Sequence, residues 1–428
     1  MNGYISTVLR RHLQDRVIHS LRHAPVVLLT GARQAGKSTL AQAIARTEWK
    51  AGYLTLDDRA VLDAVLRDPD GFIAGTPTPV VLDEVQRAPD LMRAIKLAVD
   101  RSRKPGQYLL TGSANLLTLK TVSEALAGRI VLHELQPFSW SELDESGPPT
   151  TPRDLFTMKD ARALVSRWRC AVSPKRRQEI ERRILTGGFP TPALQGSAAA
   201  RHEWFAAYRQ TYLERDVREL ALLEHLPDFS RLLPLLALRT GQLLNYSDVS
   251  RDLGLPLSTL RRYMSLLETT YQLFLLRPYF ANVGKRLVKT PKVYMADTGM
   301  ACHLALADSW TTLERQGRAG AMVETRAAAE LRKQIAATAP TTQLWYWRPH
   351  GGREVDFLLE QGEELVAIEV KWSQRIGTAE TAGLEQCRTD LKGRVRLGIL
   401  LYPGTEIVAL DRATVAVPFS VFFALDRP

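Results

Sequence analysis

The feature that most limits what this chain can fold into lies near its start, where the apolar run VVLLT leads through GARQAGKST, residues 31–39, into LAQAIA. A buried strand feeding a glycine-bearing loop at the mouth of a helix, with the spacing G-x-x-x-x-G-K-S, is the local arrangement that cradles phosphate. Backbone N–H groups and the helix dipole stabilise the β-phosphate, an ammonium neutralises the β- and γ-phosphates, and a hydroxyl holds Mg²⁺. Gly31, Ala32, Arg33, Gln34, Ala35, Gly36, Lys37, Ser38 and Thr39 are the expected cradle, with Lys37 as its cation and Ser38 on the metal. ATP and Mg²⁺ are the expected ligands.

Further along, apolar runs continue to alternate with helical segments, as βα units should. Candidate strands are Val26 to Thr30, Tyr53 to Leu56, Val80 to Asp83, Tyr108 to Thr111 and Ile130 to Leu135, which implies an α/β unit with a mostly parallel, helix-covered sheet. PVVLDEV ends its strand in two acids: Asp83 fits the group that holds Mg²⁺ through water, and Glu84 is placed to polarise the attacking water. QYLLTGS ends in Thr111 and Ser113, either of which can sense the γ-phosphate if that strand lies between the two motif strands. Arg129 opens the fifth strand, a position suited either to the nucleotide of a neighbouring subunit, which implies a homo-oligomer, or to a plain surface role.

At 428 residues the chain has room for about three domains. Its 57 Lys and Arg against 46 Asp and Glu leave a formal charge of +11, which favours polyanionic partners and nucleic acid first. Cys170, Cys302 and Cys387 are too few and too scattered for a disulfide or zinc framework, so a reducing, cytoplasmic compartment is expected. The apolar tract at 413–425 is too short to span a bilayer, and the N-terminus lacks the pattern of a secretory signal, so no membrane partner is expected. SGPPTTP, residues 146–152, reads as a linker, giving an expected first domain over 1–147 and an all-helical connector over 153–240.

Residues 241–300 carry two amphipathic helices around LGLPLS and then the strand-like QLFLLRPY, the outline of a winged helix-turn-helix. Ser258 is the expected cap of the second helix, whose Leu260, Met264 and Leu267 share a face that leaves Arg261 and Arg262 outside. With Lys285, Arg286, Lys289 and Lys292 downstream, these arginines form an expected nucleic-acid surface, DNA before RNA, although a basic hairpin of this kind also serves protein partners or simply meets solvent.

A second α/β domain is expected over 320–428. REVDFLLEQGEELVAIEVKWS forms a hairpin whose loop of two or four residues puts Asp356 on one face with Glu369 and Lys371, whereas a loop of three separates them. Glu324 heads the core-facing stripe of the preceding helix. Glu324, Asp356 and Glu369 are the expected ligands of a divalent cation, with Asp356, Glu369 and Lys371 catalytic, and the set resembles that of the restriction-endonuclease-like nucleases.

Together GARQAGKST, LDEVQRAP, LLTGSA, LAGRI, GGFP and YLERDV resemble, over nearly the whole chain, a prokaryotic family of AAA-plus ATPases joined to a C-terminal domain of unknown function. The resemblance implies a five-stranded ATPase core, sensor residues after the fourth strand, and a C-terminal part related to restriction-endonuclease-like folds. Arg215 of YLERDV is the candidate for the sensor-two arginine. The expected function is hydrolysis of ATP coupled to action on nucleic acid through a nuclease-like domain. The alternative is a nucleotide switch whose C-terminal half only binds DNA or protein.

Overall fold

The computed structural model describes residues 8–112, 128–194, 196–211, 226–282, 284, 286, 289–349 and 352–426. Ser113, Arg215 and Lys285 lie outside the described residues. The chain divides into two compact units, Met1–Phe138 with Thr269–Tyr271, and Ser139–Glu268 with Gln272–Pro428.

The first unit holds a five-stranded sheet of β1 (Val26–Thr30), β2 (Gly52–Thr55), β3 (Val80–Asp83), β4 (Tyr108–Thr111) and β5 (Ile130–Glu134), in the order β2-β3-β4-β1-β5. Every pair is parallel, so all the carboxyl ends meet at one edge. The motif strands are continuous apolar runs because both faces are covered. Val26, Leu28, Val80, Leu82, Tyr108 and Leu110 pack on one side with Val65, Ile73, Leu91, Ile95 and Val99 of three helices. Val27, Leu29, Val81 and Leu109 pack on the other with Val17, Leu21, Leu40 and Ile44. Strand β4 does lie between β1 and β3, which brings Thr111 between the phosphate loop and the acid pair.

The second unit begins earlier than composition suggests. Ser139 caps a short helix, Trp140–Leu143, in a capping box with Glu142, and the Trp140 ring is buried edge-on against Phe423 at 5.5 Å. Within the expected linker, Thr151 is buried and its hydroxyl donates to Phe422 O at 2.6 Å, so this proline-rich stretch is packed structure and the division falls before Ser139.

Beyond the helices of this region come the helix Leu226–Leu238, β6 (Gln242–Leu243), the helices Tyr246–Leu253 and Leu257–Thr269, β7 (Leu273–Leu276) and β8 (Lys292–Met295). The strands form a three-stranded antiparallel sheet in the order β6-β8-β7. Asn245 caps the first helix of the pair, and Gly254 ends it at φ +67°, a left-handed backbone that glycine takes without strain. The second helix starts at Leu257 with the Leu260 N–H bonded to Pro256 O, so Ser258 stands in the first turn and is not the cap. Leu260, Met264 and Leu267 are buried, and Arg261 and Arg262 are exposed.

The remaining sheet runs β13 (Val408–Ala409), β14 (Thr414–Pro418), β12 (Val395–Tyr402), β11 (Glu364–Val370), β10 (Val355–Gln361), β9 (Gln343–Trp347), flanked by the helices Ala319–Thr338 and Thr378–Asp390. Strand β14 and the helix Phe419–Phe422 absorb the long apolar tract as core. Among the described residues no helix is long and apolar enough to cross a membrane.

Candidate functional site

The phosphate loop takes its shape from backbone conformations that few residues accept. Gly31 has φ +141°, and a Cβ there would stand 2.1 Å from Leu135 O. Gln34 and Gly36 have φ of +57° and +96°. Gly36 ends the loop as the cap of the helix Lys37–Ile44, and no capping side chain among the described residues occupies the N-terminal N–H groups of that helix, which suits them to an anion. Lys37 is buried and its ammonium donates to Gly31 O at 3.0 Å and Ala32 O at 2.8 Å, so it already spans the loop.

The acid pair stands at the neighbouring strand tip. Asp83 is buried; its Oδ1 accepts from Ser38 Oγ at 2.9 Å and from the Thr111 hydroxyl, and its Oδ2 accepts from the Tyr53 hydroxyl at 2.7 Å. Ser38 and Asp83, 45 residues apart, thus bring two hard oxygen donors together, the donor set that Mg²⁺ prefers. Glu84 holds a left-handed backbone, φ +59°, with its N–H donated to Thr111 Oγ1 at 3.2 Å and its carboxylate accepting from Gln86. A non-glycine residue in that region stores strain of about 1–3 kcal/mol, and such strain gathers where a side chain must be aimed. Burial pushes the Tyr53 phenol up to about 12, against the effect of Gln42 and with the help of Asp83, so it stays a donor to the acid at neutral pH.

Arg129 stands at the opposite edge of the sheet, since its neighbour Ile130 pairs with Val26, the first residue of β1. Its guanidinium makes a two-pronged ion pair with Asp100 at 2.6 and 3.0 Å. The residue therefore stands at the end of the sheet away from the phosphate loop of its own chain.

Two of the expected nucleic-acid contacts are instead internal. Arg286 is buried, pairs with both oxygens of Glu360 at 2.7 and 3.2 Å, and lies over the rings of Tyr279 and Trp345. Lys292, 3% exposed, points its ammonium at Glu324 and away from solvent. A buried cation needs a charge partner, and both found one far away in sequence. Arg261, Arg262 and Lys289 remain exposed.

In the second unit the hairpin turns on Gly362, φ +61°, and Gln361 pairs with Glu364. Continuing that register sets Asp356 across from Glu369. Glu324, Asp356, Glu369 and Lys371 do come together, but around an ammonium that the sequence did not place there. Lys292 Nζ lies 2.8 Å from Glu324 Oε1 and 3.7 Å from Asp356 Oδ1, and also contacts Glu354. Tyr294 donates to the same Glu324 oxygen at 2.5 Å, and Asp356 Oδ2 accepts the Val370 N–H at 2.8 Å. Glu369 Oε1 takes Lys371 Nζ at 2.5 Å, while its Oε2 is buried with no hydrogen-bond partner among the described residues.

Burial raises the Asp356 carboxyl well above the usual range, Glu324 and Glu369 raise it further, and Lys292 works against them. Burial likewise raises Glu369, opposed by Lys371. For Lys292 burial acts downward, but Glu324, Asp356 and Glu354 outweigh it and hold the ammonium protonated. Among the described residues no group of three or more His, Cys, Asp or Glu side chains is disposed to hold a metal ion, so the expected metal role of Glu324, Asp356 and Glu369 is not met in this arrangement.

Sequence reasoning missed the supports of both sites. Arg11 is buried, donates to Ala35 O at 2.9 Å and Gln136 O at 2.6 Å, and lies over the Phe138 ring, bracing the outside of the phosphate loop. Tyr53 braces Asp83, and Lys292 and Glu354 complete the acidic pocket. Nothing local in RRH or in PKVYM announces these partners.

A parallel sheet in this order, a loop cradle at one strand tip and an acid pair at the next but one define an AAA-type P-loop ATPase. Residues 23–144 match the AAA domain family, residues 177–311 the domain of unknown function DUF8612, and residues 319–422 the domain of unknown function DUF4143. The chain is 32% identical over 410 residues to uncharacterized proteins of Mycobacterium tuberculosis (Rv2008c) and Mycobacterium bovis (Mb2031c), an alignment spanning 96% of this chain and 83% of each relative. It belongs to their family, AAA ATPases with a C-terminal DUF4143 domain. Similar solved structures include the Walker-type ATPase PABY2304 of Pyrococcus abyssi, with 16% identity and a TM-score of 0.42 over 69% of this chain and 96% of that one. Another is the RuvB Holliday junction branch migration motor of Thermotoga maritima, with 19% identity and a TM-score of 0.29 over 61% and 88%.

Proposed function

We propose that this chain hydrolyses ATP with Mg²⁺ as an oligomer and uses the nucleotide cycle to act on nucleic acid, DNA first, through its second unit. The observation that carries the chemistry is the bond between Ser38 and Asp83 beside a strained Glu84. Bound Mg²⁺ would be held by Ser38 and, through water, by Asp83, and would neutralise charge on the β- and γ-phosphates. Lys37 binds the phosphates, Glu84 takes the proton of the attacking water, and Thr111 orients both acids.

Oligomeric hydrolysis is supported by the position of Arg129, remote from its own loop and released to a neighbour only by giving up Asp100. Turnover per subunit should rise with protein concentration in the wild type and stay flat in Arg129→Ala. Identical profiles for the two proteins would return Arg129 to a structural role.

The nucleic-acid reading is supported by the net charge of +11 and by the order helix, strand, helix, helix, strand, strand, that of a winged helix-turn-helix with Arg261 and Arg262 on the outer face of its second helix. Replacing Arg261, Arg262 and Lys289 by Glu should weaken DNA binding and lower the slope of log K against log salt by about one for each phosphate no longer neutralised. Unchanged affinity at low salt would direct this surface to protein. For the C-terminal pocket the lysine among its carboxylates favours binding without cutting. The unpartnered Glu369 oxygen favours a second reading, metal-dependent cleavage, which a plasmid-nicking assay with Mn²⁺ and Asp356→Ala as control would detect.

A further inference from the structure

The acidic pocket of the 319–422 domain is filled by a side chain from the 177–311 segment. Lys292 is the first residue of β8, and its backbone pairs with Leu243 on one side and Leu276 on the other. A central strand of a sheet therefore anchors the residue, and its ion pairs with Glu324 and Glu354 hold the ammonium in the pocket. Around it stand Glu324, Glu354 and Asp356, with Glu369 beyond. Without Lys292, Glu369 would keep the Lys371 ammonium on a single oxygen, and the neighbouring carboxylates would repel one another at close range. The other Glu369 oxygen, on a residue 7% exposed, has no partner among the described residues. Buried acceptors without a donor are rare because each forfeits its hydration with nothing in return, and oxygen-only sets of this kind are what hard divalent cations take.

We propose that Lys292 is a built-in cation that keeps a latent divalent-metal site, formed by Glu324, Asp356 and Glu369, closed. The inference rests on reading these acids with Lys371 as a nuclease-like set, but it concerns metal uptake and is independent of whether nucleic acid is cut. The ammonium satisfies the acids at fixed stoichiometry and leaves Glu369 Oε2 idle. Displacing it frees a cage of three carboxylates that a divalent ion can bridge.

The test is calorimetric titration of Mn²⁺ into the full chain without nucleotide, using wild type, Lys292→Met, and Lys292→Met combined with Glu369→Gln. Wild type should take up no Mn²⁺ that depends on these acids, so its isotherm should match that of Glu369→Gln alone. Lys292→Met should gain one equivalent, bound at least about tenfold more tightly than anything in the wild type, and the double variant should lose it. One Mn²⁺ in the wild type that Glu369→Gln or Asp356→Asn removes overturns the proposal, as does a folded Lys292→Met that binds none. If Lys292→Met is unfolded in chelator, Mn²⁺ must restore its circular dichroism and a cooperative melt, and failure to do so also overturns it. Mn²⁺ uptake by Lys292→Met without plasmid nicking leaves the closed site standing and removes only the cleavage reading.

Discussion

Lys37→Ala should bind ATP at least about a hundredfold more weakly than wild type and release no phosphate above background, as read by nucleotide titration and a steady-state phosphate assay. The ammonium is the cradle's buried cation, and in the structure it bonds Gly31 O and Ala32 O, the loop carbonyls that precede the helix it heads. Charge-assisted bonds of this kind contribute about 1.5–3 kcal/mol each, and losing one or two gives the stated change in Kd. The helix N-terminus and the backbone of the loop remain, so residual weak binding is expected, whereas turnover needs the charge on the γ-phosphate compensated and should disappear. The fold should survive, because the bonds that Lys37 donates to Gly31 O and Ala32 O lie within the loop. Wild-type affinity and rate in this variant would remove the loop from the site.

Glu84→Gln should separate binding from chemistry. An amide of the same shape keeps the bond to Gln86 and the left-handed backbone tied to Thr111, so ATP affinity should change by less than about threefold. Loss of the proton acceptor should lower kcat by about 10²- to 10⁴-fold, the range ordinarily attributed to a general base. Quenched-flow turnover and an equilibrium titration on the same preparation distinguish this from a general loss of structure. A variant that hydrolyses at the wild-type rate would show that Glu84 does not position the water.

Legibility in the sequence tracked the range of the interactions. The phosphate loop was readable because strand, loop and helix are contiguous and the glycines mark backbone that Cβ atoms forbid. The three central strands of the first unit, β1, β3 and β4, were readable for a related reason, since strands covered on both faces need unbroken apolar runs. The hairpin around Gly362 left its register open, and with it the facing of Asp356 and Glu369, because shifting the loop by one residue reverses every side chain.

Long-range partners were invisible. Arg286 and Lys292 sit in a run of positive charge that looks solvated, and only folding shows that Glu360, 74 residues away, and Glu324, 32 residues away, have captured them. Arg11 could not be read as the brace of Ala35 for the same reason. The expected linker at 146–152 was misplaced because proline and glycine mark turns as well as boundaries, and Thr151 is anchored in the core through Phe422.

The central claim is that Gly31, Lys37, Ser38, Asp83 and Glu84 form one ATP-hydrolysing site. Its most direct test is steady-state release of inorganic phosphate from ATP by the full chain in Mg²⁺, measured over a range of protein concentrations with Lys37→Ala as the baseline. The account predicts saturable release above that baseline that is lost in excess chelator. Release by the wild type no greater than by Lys37→Ala at any concentration would contradict it.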